Sequence, residues 1–400
     1  MKKPRNRWSV VFGALLIQVC LGAVYAWSLF NKPLTEKFGW STDDVVLTFS
    51  ITIATFAAFT FFAGKLQDKI GPRLVAMGGG ILLGVGLMLA STATSIYQLY
   101  FYYGVIGGAG IGAAYVCPIA TCVKWFPDRP SLITGVAVAG FGAGGLLFKP
   151  IITYFIDTLG VMPAFFYLGL IYLIGITVGA QFLANPTENC IPKKDNADTI
   201  IPKKDYSTKE MLKTPKFYVI WSVFFIGCMV GLMVISLAVD IGVNLAQISA
   251  EAAGNAIITI ALLNAFGRIF WGSVADRFGF RNTLMIIYSL TAITITYMGY
   301  VSLTYFTFLV TTSIIGFFFG GFLALFPSKT AFHYGTKNLG TNYGLVYLAY
   351  GLSAFAGPIL ATRLGFINAF YISAVLCLLA VAGIYLIRSI SLTSEKIMSK

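Results

Sequence analysis

Arg268 is the residue in this chain most able to do chemistry. It lies in an apolar run between Ala250 and Ala275. Counted back from Asp276 at a rise of ~1.5 Å per residue, it falls close to the centre of a hydrocarbon layer ~30 Å thick. A guanidinium at that depth costs from ~3 to over 10 kcal/mol. None of the fifteen acidic residues lies deep in an apolar run to offset it: Glu36, Asp43 and Asp44 flank one loop, Asp157 ends a run, and Asp240 and Glu251 bracket a turn. The planar fork of an arginine suits a carboxylate bidentately and keeps its charge at any physiological pH. A carboxylate ligand would supply the missing countercharge; the competing reading satisfies the arginine with main-chain carbonyls and the nearby Asn264.

Other polar side chains fall in apolar runs. Lys149 precedes Pro150 and sits ~10 Å outside the midplane, where its stem can snorkel outward or bring a second cation to an anion. Tyr25, Tyr115, Tyr347 and Tyr350 carry hydroxyls that need partners once water is excluded. Tyr347 and Tyr350 are three apart and share a helix face. With Phe319 these tyrosines can form a hydrogen-bonding cage for a small organic anion. No buried carboxylate is available as a proton relay, so a coupled proton would travel with the ligand.

The elements that position these residues are membrane spans. Hydrophobic residues make up 58% of the chain and charged ones 11%, and twelve apolar stretches are long enough to cross a bilayer: 8–30, 43–64, 74–94, 97–123, 131–156, 162–184, 217–240, 250–275, 283–302, 304–326, 340–362 and 365–388. The first is too long and aromatic for a cleavable signal peptide. The expected fold is all-α, with twelve transmembrane helices in two pseudo-symmetric six-helix bundles, 1–184 and 217–400, joined by a polar linker, 185–216. That linker uses Ile-Pro-Lys-Lys-Asp twice and ends in Ser207-Thr208-Lys209-Glu210, a capping signal for a short amphipathic segment. Glycines crowd the third, fourth and fifth spans, as close helix packing requires; Gly142 and Gly351 could also bring backbone to a ligand.

The net charge of +13 reads as orientation. With the N-terminus inside, cytoplasmic segments hold 23 of the 28 lysines and arginines, which sets both termini in the cytoplasm of a multi-pass cell-membrane protein. Nucleic acid is not expected as a partner; the bilayer is. The six cysteines form no C-x-x-C pair, so neither a metal nor a disulfide framework is expected. His333, the single histidine, reads as a cytoplasmic loop residue with no paired nucleophile, so neither an enzyme nor a cofactor is expected. A monomer is expected.

Two loops 208 residues apart repeat each other. Gly64, Asp68, Gly71 and Arg73 align without a gap on Gly272, Asp276, Gly279 and Arg281. A chain that repeats itself at half-length inside a membrane is built like a secondary transporter, with its site near the midplane between the halves. At the two helix junctions Asp68 and Asp276 can accept hydrogen bonds from a neighbouring helix start and pair with Lys69, Arg73, Arg277 and Arg281, latching an outward-open state.

The doubled loop resembles the signature of the major facilitator superfamily. Within it, the chain resembles the oxalate/formate antiporter family from about Arg7 to Arg388. The resemblance rests on Tyr25-Ala26-Trp27-Ser28-Leu29, Lys124-Trp125-Phe126-Pro127-Asp128-Arg129, Met211-Leu212-Lys213-Thr214-Pro215-Lys216-Phe217, Gly267-Arg268-Ile269-Phe270-Trp271-Gly272, Ala324-Leu325-Phe326-Pro327-Ser328 and Asn342-Tyr343-Gly344. It implies transport of small carboxylates through a central site with an essential arginine matching Arg268 and tyrosines matching Tyr25 and Tyr115. Members that exchange oxalate for formate add a lysine in the eleventh span, where this chain has Tyr350; tryptophan positions of that site hold Tyr347 and Phe319 here. With one central cation replaced, Coulomb balance favours a monoanion: lactate, pyruvate or formate, moved with a proton or against a counter-anion. The alternative is dicarboxylate exchange shared by Arg268 and Lys149, and a remoter one is a sensor that binds a carboxylate without moving it.

Overall fold

The computed structural model describes residues 6–186 and 204–398, with side chains to 385. The first Ile-Pro-Lys-Lys-Asp copy, most of the second, Cys190, Lys2, Lys3 and Lys400 lie outside those residues. Among the described residues twelve helices are long and apolar enough to span a bilayer: α1 Arg7–Ala26, α2 Thr42–Ile70, α3 Pro72–Ala90, α4 Ile96–Trp125, α5 Pro130–Leu159, α6 Val161–Phe182, α7 Pro215–Ser236, α8 Ala250–Phe278, α9 Phe280–Tyr300, α10 Tyr305–Tyr334, α11 Leu339–Leu364 and α12 Phe366–Tyr385, whose helix continues to Met398. Apolar side chains such as Phe62, Ile174, Ile293 and Leu379 cover the outside, as lipid demands.

The twofold repeat is written into the backbone. Ser41 and Ser249, 208 residues apart, cap α2 and α8 by accepting from the N–H of Asp44 and Ala252. Both helices end on the second glycine of the repeated loop, at φ 93° for Gly71 and 83° for Gly279, a conformation that disfavours side chains. The first glycine serves packing across the halves. A Cβ on Gly64 would meet the Gly340 carbonyl of α11, and one on Gly272 the Ser131 carbonyl of α5. Consequently α2 lies against α11 and α8 against α5, the two contacts related by the repeat.

Three differences from the sequence reading matter. The first span stops at Ala26 in a 3₁₀ turn, Ala23–Ala26, that carries Tyr25, and a separate helix, Ser28–Phe38, follows. The tenth helix runs to Tyr334, not to 326. It passes through Pro327, which membrane helices tolerate where neighbours surround the backbone. His333 is therefore a half-buried residue of the last turn of α10, not a loop residue. The end of the linker is also fastened down: the Tyr206 N–H donates to the Tyr334 carbonyl at 2.9 Å, and Asn338 and Asn342 donate to the Tyr206 carbonyl at 2.9 and 3.1 Å. Ser207 and Glu210 then form the expected capping box of a short helix, Thr208–Leu212. Two hydrogen bonds from Ser207 hold the exposed Glu210 carboxyl below its ordinary range.

Candidate functional site

The repeated loops tie the two halves together at one end. Each aspartate, in the last turn of its helix, reaches the unsatisfied N–H groups that open a helix of the other half. The Asp276 carboxylate of α8 accepts from Ser131 at 3.0 Å and Leu132 at 2.8 Å, both in the first turn of α5. The Asp68 carboxylate of α2 accepts from Gly340 at 3.2 Å, and from the N–H and hydroxyl of Thr341 at 2.8 Å each, at the start of α11. An anion at a helix N-terminus gains from both hydrogen bonds and dipole.

The basic residues of these loops do not pair with the aspartates as the sequence reading had it. Arg73 donates to Gln181 of α6 and Arg281 lies 4.8 Å over the Tyr385 ring of α12. Each thus pins its loop within its own half. Lys69 and Arg277 are exposed. The cation beside Asp68 is Lys124 of α4, at 4.0 Å. In sequence Lys124 counts only as part of the Lys124-Trp125-Phe126-Pro127-Asp128-Arg129 run, because a lysine at a span end carries no mark of its partner.

Arg268 is fully buried where α8 crosses α5. Its Nε donates to Asn264 Oδ1 at 2.8 Å, one turn back, and its Nη1 donates across the halves to the Val138 carbonyl. Nη2 has no partner among the described residues, and no carboxylate forms an ion pair with the guanidinium there. Gly142 makes the space: a Cβ on it would stand 3.2 Å from Arg268 Cζ. The group is held by two of its three nitrogens and leaves the third free. That is a geometry suited to an acceptor arriving from outside the protein.

Next to Gly142, Phe141 carries the site into a cluster of rings from both halves. Its centroid lies 5.2 Å from Tyr25, 5.3 Å from Tyr115 and 5.8 Å from Phe56. Tyr347 stacks on Tyr350 at 4.8 Å and packs on Tyr115 at 4.9 Å. The hydroxyls of Tyr25 and Tyr350 meet across the halves at 3.1 Å. The structure thus brings Tyr25, Tyr115, Tyr347 and Tyr350 together and places Tyr115 within electrostatic reach of Arg268. It adds Tyr343, buried, with its hydroxyl toward Tyr115. The spacing 343, 347, 350 on one face of α11 was the signal for it.

Three candidates fall elsewhere. Lys149 is exposed and seven residues along α5 from Gly142, ~10 Å by helical rise, so it does not share the Arg268 pocket in this arrangement. Phe319 packs over Gly231 of α7 and has no ring contact with the tyrosines among the described residues. Gly351 faces Ala57 of α2, and the close approach there is helix packing. Asn264 spends its carbonyl on Arg268, a positioning contact. Among the described residues no cluster could hold a metal ion, and Cys20, Cys117, Cys122, Cys228 and Cys377 are free and buried.

Comparison with known proteins fits this geometry. The Major Facilitator Superfamily model matches residues 10–246 and 231–397. The chain is 33% identical to the uncharacterized MFS-type transporter YhjX of Escherichia coli strain K12, over 88% of this chain and 86% of that protein. It is 32% identical to the oxalate:formate antiporter of Oxalobacter formigenes, over 94% and 90% of the two chains. At 23% identity it resembles the apicoplast pyruvate carrier 1 of Toxoplasma gondii, over 91% and 83%. In fold it superposes on the crystal structure of human MFSD10 with a TM-score of 0.66 at 14% identity, covering 94% and 98% of the chains. The architecture is that of a transporter rather than an enzyme, and the chain belongs to the oxalate/formate antiporter family of the Major Facilitator Superfamily.

Proposed function

We propose that this protein moves a small monocarboxylate such as lactate, pyruvate or formate across the cell membrane by alternating access. The carboxylate docks on the free edge of Arg268, and Tyr25, Tyr115, Tyr347 and Tyr350 enclose the remainder. The observation that carries this reading is a fully buried guanidinium with one nitrogen unpartnered and no countercharge among the described residues. The two halves rock about that point, and the aspartate contacts close the loop end while the opposite end admits substrate. The lysine and arginine distribution supports a cytoplasmic loop end.

A second reading, dicarboxylate-for-monocarboxylate exchange, draws support from the 32% identity to the oxalate:formate antiporter. It requires a second cation near Arg268. The position that could have held one is Tyr350, whose hydroxyl is joined to Tyr25, and Lys149 lies outside the pocket. Uptake of labelled lactate, pyruvate, formate and oxalate into proteoliposomes, with and without an internal anion and an inward proton gradient, separates the two. Gradient-driven monocarboxylate uptake with no internal anion supports the proposal. Oxalate uptake that depends on internal formate overturns it in favour of exchange.

A further inference from the structure

A second buried cation lies on the same side of the site as the aspartate contacts. Lys329 lies beyond the expected end of the tenth span at 326, but α10 continues through it and leaves it only 5% exposed. Among the described residues no carboxylate lies within ion-pair distance of its ammonium and no hydrogen bond reaches it. An ammonium without a partner in a protein interior is unfavourable. No protein partner among the described residues offsets that cost.

Its position gives it a use. Gly320 of α10 packs on the main chain of Asn264 and Arg268, which sets the level of the central site on that helix. Lys329 is nine residues further toward the loop end, ~13 Å by helical rise. The preceding residue, Ser328, donates across the halves to the Ser131 hydroxyl at 3.2 Å, and the Ser131 N–H is held by Asp276. Lys329 is therefore next in the chain to a residue of the seam that must part when the loop end opens. His333 follows one turn later, short of the end of the helix.

The geometry points to Lys329 as a second anion site, a relay that takes the carboxylate between Arg268 and the aqueous space at the loop end. The site is buried while the aspartate contacts hold and forms as they release. It extends the Arg268 reading by giving the anion a place to stand on leaving the guanidinium. A bare apolar seam would instead force it to cross from one charge to water in a single step.

Equilibrium binding of labelled formate, lactate and oxalate to the purified full-length protein tests this. The D276N background is used so that the loop end opens, and thiol labelling of Ser328→Cys verifies the opening. K329M keeps the stem and its packing while removing the charge, K329R keeps the charge, and thermal melting checks that each variant is folded. Two sites are expected with Lys329 present, one with K329M and two with K329R; R268Q leaves one site, and R268Q with K329M leaves none. Unchanged stoichiometry in folded K329M overturns the relay. Unchanged stoichiometry in R268Q, with a site still lost in K329M, overturns the central clamp and leaves the relay standing.

Discussion

Two belts of buried polar groups cross this molecule, and they are finished differently. At the loop end, both oxygens of Asp68 and of Asp276 accept from helix starts in the opposite half. At the level of Arg268 one guanidinium nitrogen is left unpartnered among the described residues. Satisfied charges hold a conformation, because each charge-assisted bond is worth ~1.5–3 kcal/mol and is lost when the halves part. An unsatisfied one binds whatever completes it. The difference assigns closure to one belt and ligand capture to the other, and each assignment can be attacked separately.

The largest effect is expected from Arg268→Lys. It keeps the charge but loses the fork, and with it both the Val138 and Asn264 contacts and the free edge. Two charge-assisted bonds at ~1.5–3 kcal/mol each translate into a transport rate lower by ~100-fold or more. Uptake measured at equal protein density in proteoliposomes checks it. Near-normal uptake would remove the midplane belt from ligand capture.

The closing belt offers a finer comparison, because its two halves are not equivalent. The Asp276 oxygens accept from two backbone N–H groups and have beside them the Ser131 hydroxyl, which Ser328 already engages, so in Asp276→Asn an amide NH₂ must confront another donor. Asp68 also meets the Thr341 hydroxyl, which can turn and accept from an asparagine. Asp276→Asn should therefore open the loop end more than Asp68→Asn, raising the thiol-labelling rate of Ser328→Cys by ~10-fold or more, from a loss of ~1.5–3 kcal/mol. A larger response from Asp68→Asn would show that Lys124, not the helix starts, dominates that contact.

How much of this was legible in sequence follows the same division. The repeated Gly-Asp-Gly-Arg pattern disclosed the closing belt, because two copies of a loop in two halves of one fold must meet equivalent surroundings. The glycines proved to serve close approach and helix ends, and the arginines to pin each loop to its own half. Arg268 was legible as a charge in an apolar run. Phe56 and Phe141 were not, since an aromatic in a membrane helix carries no mark of which way it faces. The expected end of the tenth span at 326 fell short for a specific reason: Pro327 and the polar residues after it look like a helix end, yet α10 is enclosed there by its neighbours and continues through Lys329. The 3₁₀ turn that aims Tyr25 likewise had no sequence signature.

Gly142→Ala probes the shelf under the guanidinium. The added methyl would stand 3.2 Å from Arg268 Cζ, so the fork must shift by a few tenths of an ångström within a closely packed wall. Overpacking of this kind costs ~1–3 kcal/mol. Substrate half-saturation should rise by about tenfold, while the Ser328→Cys labelling rate stays near its starting value. A change in labelling without a change in half-saturation would place Gly142 in the closing belt instead.

Tyr350→Phe should have the smallest effect and the most specific meaning. It removes one hydroxyl and leaves the Tyr347 stack intact, so the lost bond to Tyr25 is worth ~1 kcal/mol and uptake should fall about two- to fivefold. Because Tyr25 and Tyr350 belong to opposite halves, that bond is a link between them as well as part of the cage. If it serves mainly as a link, its loss should speed exchange of bound substrate while weakening affinity. If it serves mainly as a ligand contact, affinity alone should drop, and the drop should be larger for lactate, which carries a hydroxyl, than for formate, which has none. Measuring half-saturation and exchange rate for those two anions in the one variant tells which belt this hydroxyl pair belongs to.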